Sequence, residues 1–229
     1  MHGRPASERG YWLALMPVAA TGVFYVLPPC LQSRSLVQFV PQVVGYFGLV
    51  AWSYWNTDVV GRLGLASRRL GVGLKWGFPA GLTLGLFNAS IILWIVPGLG
   101  YDITFLTVTP HARVPAAVML PWVIWAIAAT VELNFRGFLL GRLVAIFQHT
   151  WSSGVPWVDQ ALAVLIASLV FSFDPFMVVT FQHLHWIALW DGIVWSMMWL
   201  RTHSLYATII AHAVEVMVMY TILKMTLGQ

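Results

Sequence analysis

The chain has 229 residues, of which 59% are hydrophobic and only 9% charged, with a mean hydropathy of +0.79. Soluble domains carry about a quarter charged residues, so this composition sets a soluble fold aside and implies a polytopic α-helical membrane protein. The net charge of +4 comes from arginines scattered near the ends of apolar runs. That pattern suits membrane orientation and anionic lipid heads rather than nucleic acid.

The first stretch, MHGRPASERG and the apolar run behind it, has the charge pattern of a signal peptide. No small-residue cleavage site follows, so the window 11–29 is read as a first membrane span. Further apolar windows of about 20 residues lie near 37–56, 74–97, 115–140, 158–173, 176–199 and 204–223, which makes about seven spans. Breakers separate them: Pro28-Pro29, Pro97-Gly98, Ser152-Ser153-Gly154 and Asp174-Pro175. The expected fold class is therefore all-α, a polytopic membrane helical bundle forming a single integral membrane domain over 1–229. The 13 tryptophans suit the membrane interface. Cys30 is the lone cysteine, which leaves neither a disulfide framework nor a thiolate zinc site.

Charge placement gives an orientation. With the N-terminus cytoplasmic, Arg4, Arg9, Arg62, Arg68, Arg69, Lys75, Arg136, Arg142 and Arg201 fall on the inner side. Only Arg34, Arg113 and Lys224 fall outside. This positive-inside bias supports an odd number of spans with the C-terminus outside, in an inner (plasma) membrane of bacterial type.

Ionisable residues inside spans are costly and face a bundle interior or a wet cavity. Here they are Glu132, His183, His185, Asp191, His212 and Glu215, with Asp174 at an outer end. At about 1.5 Å of rise per residue, Glu132, Asp191 and His212 lie roughly 12–14 Å from the cytoplasmic boundary. His185 and Glu215 lie roughly 18–22 Å from it on the same count. A carboxylate and an imidazole at one depth can activate a water. Each residue also has a structural reading. Glu132 and Arg136 are one turn apart and can neutralise each other. His212 and Glu215 are spaced i,i+3, and Asp191 can bond a neighbouring helix or water. His183 and His185 stand about 200° apart on a helix and cannot both face one metal. HExxH is absent, so no metal site is expected. No cofactor is required either, although His183, His185 or His149 could ligate a haem or pigment.

VELNFRGFLLGRL (131–143) resembles the EExxFRGxLL segment of the CPBP family, the CAAX-type and bacteriocin-processing intramembrane endopeptidases. WLRTHSLYATIIAHAVEV (199–216) is similar to that family's YLRTGSLWAPILAHALNN segment, and IASLVFSFDP (166–175) to its SSLLFGLAH stretch. With LGVGLKWGFPAGLTLGL (70–86) upstream, the resemblance covers about 60–225 and implies a CPBP-like core around a water-accessible conical cavity. It also implies a protease site in which a glutamate and a histidine activate water while a second histidine and an asparagine hold the oxyanion.

Carried over residue by residue, the first glutamate position is Val131, and Glu132 matches the second. Arg136, Phe171, Arg201 and His212 match, whereas the other histidine position is Pro175 and the asparagine position is Val216. The leading reading is a catalytically impaired member acting as a membrane-embedded binding or structural subunit with other membrane proteins. The alternative is an active endopeptidase acting on a prenylated or leader-bearing peptide. It would use Glu132, Arg136 and His212, with His185, Asp191 or Glu215 as helpers. A haem- or pigment-binding subunit is the third.

Overall fold

The computed structural model describes residues 8–228, and among them all regular structure is helical. Arg4 and most of the signal-like start lie outside the described residues. A 3-10 turn, Tyr11–Ala14, leads into α1 (Leu15–Val26), followed by α2 (Val40–Trp55) and α3 (Leu70–Ser90). The continuous helical stretch Ala116–His149 is α4. Then come α5 (Pro156–Ser172), α6 (Pro175–Phe181), α7 (Ile187–Thr202) and α8 (Leu205–Thr226).

Side-chain contacts define two ends of the bundle. At one, Glu8 pairs with Arg62 (3.3 Å) and Arg142 (2.6 Å) and accepts from Trp52 Nε1 (2.8 Å). Arg69 there donates to the Thr202 carbonyl (2.9 Å). This end gathers the last turns of α2, α4 and α7 and the first turns of α3 and α8. At the other, Gln42 donates to Asp174 (3.0 Å), Tyr25 to the Phe173 carbonyl (2.7 Å) and Tyr220 to the Val114 carbonyl (3.2 Å). Arg9, Arg62, Arg69 and Arg142, all expected on one side, thus share one end.

Three stretches are long and apolar enough to cross a membrane: Val59–Gly98, Ala116–His149 and Leu205–Thr226. The pair Pro156–Ser172 and Pro175–Leu184, bent by 52°, makes up to four. The seven expected windows all contain helix, but α2 and α7 have 16 residues each. At 1.5 Å per residue that is about 24 Å, short of a hydrocarbon core of about 30 Å. The expected window 176–199 is not continuous. Asp174 Oδ1 caps α6 by accepting from the Phe176 (3.1 Å) and Met177 (3.4 Å) amides, and Gln182 then takes a left-handed φ of 48°. A 3-10 turn, Gln182–Leu184, follows before α7 begins. His183 and His185 therefore sit at a turn between α6 and α7 and not within one continuous helix.

The closest helix pair is α3 against α8. Gly73, Gly77, Gly81 and Gly85 are all buried and present a flat face one turn apart. A Cβ at Gly77 would come within 2.5 Å of the Ala207 carbonyl oxygen, and one at Gly73 within 2.6 Å of Tyr206 Cβ. Without a hydrophobic driving force in lipid, such backbone approach is what holds helices together. The main core lies between α4, α5 and α7, where Phe135, Leu139, Leu143, Phe171, Trp195 and Trp199 pack. Inside α4 the helix widens into a π turn over Leu133–Leu140. Such widenings recur at functional sites.

Candidate functional site

Glu132 closes the last regular turn of α4 before the π turn, and its side chain is fully buried. Its Oε1 accepts from Arg136 Nη1 at 3.1 Å and meets His212 Nδ1, from α8, at 2.9 Å. Glu132 Oε2 and Arg136 Nη2 have no hydrogen-bond partner. The Arg136 guanidinium lies over Phe171 (4.4 Å) and Trp195 (5.1 Å). Trp195 in turn stacks on the His212 ring at 4.5 Å with 20° between planes. A buried guanidinium facing two ring faces and one carboxylate is held by cation–π attraction as well as by the ion pair. The expected Glu132–Arg136 clip is present, with His212 as its third member.

Beside it lies a second polar cluster. Asn88, fully buried on α3, directs Nδ2 at both Asp191 oxygens (3.1 and 3.2 Å) and at Glu215 Oε1 (2.7 Å). Trp190 Nε1 donates to Asn88 Oδ1 (3.0 Å), which fixes which way the amide faces. Asp191 and Glu215 thus come together from α7 and α8, and Glu215 turns to Asn88 rather than to His212.

Both clusters border a cavity of about 470 Å³, within the range of small-molecule sites. His212, Asp191, Glu215 and Trp195 line it, as do Val131 and Val216. Glu132 and Arg136 do not: they lie behind the His212–Trp195 stack. The rest of the wall is mostly apolar, with Gln42, His111, Asp174 and Lys224 towards the end where α8 finishes. His111 packs face-on against Phe181 (5.8 Å) and edge-on against Phe176 (5.9 Å). Burial holds its imidazole below the usual histidine pKa.

His185 is not part of the cavity wall. Its Nδ1 contacts the Gln182 carbonyl at 2.6 Å, and its ring meets Phe173 at 5.4 Å. His183 stacks on Tyr101 at 5.0 Å and meets the edge of Phe105 at 5.3 Å. His149, exposed at the end of α4, touches Tyr11 across 6.0 Å. His185, expected as a helper, lies outside the cavity wall and contacts the Gln182 carbonyl and Phe173 instead. Among the described residues no group of three His, Cys, Asp or Glu could hold a metal ion.

Sequence reasoning missed Asn88. Its signal was an amide inside an apolar window (GLFNASIILW), and an unpaired amide in hydrocarbon is costly as well. Also missed were Gln42 and His111, which only the packing of distant segments brings to the cavity.

Residues 113–218 match the family model for type II CAAX prenyl endopeptidases, Rce1-like. That stretch holds Glu132, Arg136, Asp191, His212 and Glu215; Asn88 lies before it. Comparison with curated proteins and with solved structures gives no match.

Proposed function

We propose that this CPBP-family membrane protein holds the apolar part of a membrane ligand in its cavity, as a binding subunit of a membrane complex, and does not hydrolyse it. The observation that carries this reading is the position of Glu132. Its carboxylate is fully buried, engaged by Arg136 and His212, and absent from the cavity wall. A general base must reach the proton it takes, directly or through one water. Where the family resemblance calls for a carboxylate and an amide, the cavity wall carries the isopropyl groups of Val131 and Val216. Neither takes or gives a proton. In this reading the chain crosses the bilayer seven times in alternating directions, the short helices α1, α2 and α7 completing their crossings with the turns that flank them, and the arginine-rich end is cytoplasmic.

The test is photolabelling in proteoliposomes with a farnesylated peptide that carries a diazirine on the isoprenoid. Adducts are expected on cavity-wall residues such as Val131, Val216 and Met219, competed by unlabelled peptide. Labelling confined to the lipid-facing side chains Phe47, Trp94 and Trp122 would refute binding in the cavity.

One observation favours a second reading, an active endopeptidase. The Glu132–His212 contact of 2.9 Å fixes the ring of a histidine that itself lines the cavity. A carboxylate-oriented imidazole is a general-base arrangement. Cleavage of a prenylated peptide by the wild-type protein, abolished by His212→Ala, would establish it.

A further inference from the structure

The Asn88–Asp191–Glu215 cluster does not belong to the site that the family resemblance implies, and its charge is unbalanced. Three carboxylates, Glu132, Asp191 and Glu215, share this interior with one guanidinium, Arg136, and one imidazole, His212. Arg136 Nη1 and His212 Nδ1 are both committed to Glu132. Asp191 and Glu215, both at the cavity wall, are left with the neutral amide of Asn88 and with each other, and no cation touches either of them; Arg136, held on Glu132, acts on them only across space. Buried carboxylates without a counter-charge are among the most costly groups a membrane protein can carry.

The structure also restricts what could complete the cluster. Trp190 Nε1 holds Asn88 Oδ1, so the amide turns its N–H groups, not its oxygen, towards the acids. A bare metal ion would meet those hydrogens and find too few oxygens. A zwitterionic lipid head would bring a phosphate beside the carboxylates. An organic cation that donates its own hydrogens has neither defect. Its remainder must be apolar, because the wall continuing from the cluster is Ile92, Ile187, Ala188, Met219 and Leu223.

We propose that the cavity binds a small amphiphilic amine, its ammonium head against Asp191 and Glu215 and its apolar body along the cavity. This rests on the cavity being a binding site, and the experiment separates the two ideas. Purified protein in nanodiscs is titrated by calorimetry at neutral pH with phenylbutylamine and with its neutral isostere phenylbutanol. The amine is expected to bind about tenfold or more tightly than the alcohol, a difference of about 1.4 kcal/mol or more. In Asp191→Asn/Glu215→Gln the preference is expected to vanish while the alcohol still binds as before. Equal affinities in the wild-type protein, or a preference that survives the double substitution, would overturn the ammonium site and leave the cavity standing. Binding of neither probe would overturn both. Should the double variant not fold, the wild-type comparison alone decides.

Discussion

At the level of single residues, the centre of the molecule is a carboxylate shared by two partners. Glu132 Oε1 meets Arg136 and His212 at 3.1 and 2.9 Å, all three side chains being buried. Removing one member leaves the others charged and without compensation, which costs about 3–5 kcal/mol for a fully buried pair. Glu132→Gln and Arg136→Leu are therefore each expected to lower the thermal midpoint in detergent sharply. Wild-type melting of both would contradict the clip.

His111 supplies a pH dependence. Burial depresses its pKa in the folded protein, so the unfolded chain takes up the proton first as pH falls. Its contribution is complete above the unfolded value of about 6.5 and is lost progressively below it. Unfolding midpoints of the wild type should fall between neutral pH and mild acid, and those of His111→Phe should fall less. Parallel pH profiles would rule His111 out as the cause.

Legibility at this scale followed sequence distance. The Glu132–Arg136 pair is visible as a spacing of four, and His212 as an imidazole at the same depth. Asn88 was not, because an uncharged amide raises no alarm in a charge census. Its partners Asp191 and Glu215 are 103 and 127 residues away.

At the scale of elements, α3 and α8 are paired by the glycines at 73, 77, 81 and 85. Any side chain at Gly77 meets the α8 backbone, and no rotamer relieves a contact made by Cβ itself. Gly77→Ala is expected to push the helices apart and destabilise the protein. Gly71→Ala has nothing within 4 Å of its new Cβ and is expected to be neutral or mildly stabilising from helix propensity. Equal thermal midpoints for the two variants would contradict the close packing.

The apolar windows located the helices because composition alone marks a chain that must satisfy its backbone internally. They could not locate the break after Phe181. That break depends on the Asp174 cap and on the φ of 48° at Gln182, neither of which lowers hydrophobicity. The π turn at Leu133–Leu140 was hidden for the same reason, since periodicity reasoning assumes one pitch throughout.

For the whole molecule, the proposed orientation rests on the charge distribution. Arg68 and Arg201 are exposed, as are Arg34 and Arg113. In a Cys30→Ser background, single cysteines at 68 and 201 are expected to react with an impermeant maleimide only after the membrane is opened. Those at 34 and 113 should react in intact cells. The reverse pattern would invert the orientation. The all-helical membrane character was legible from hydropathy; the cavity was not, since it is the space left between α4, α7, α8 and the 109–112 segment. Its consequence is that Val131 and Val216 line the cavity while Glu132, buried against His212, does not.

The most direct measurement is a mass-spectrometric time course of a prenylated CAAX peptide incubated with the wild-type protein, Glu132→Gln and His212→Ala in proteoliposomes. The peptide is expected to be recovered intact from all three, with no trimming above empty liposomes. Wild-type cleavage that disappears in Glu132→Gln and His212→Ala would contradict a cavity that binds without hydrolysing.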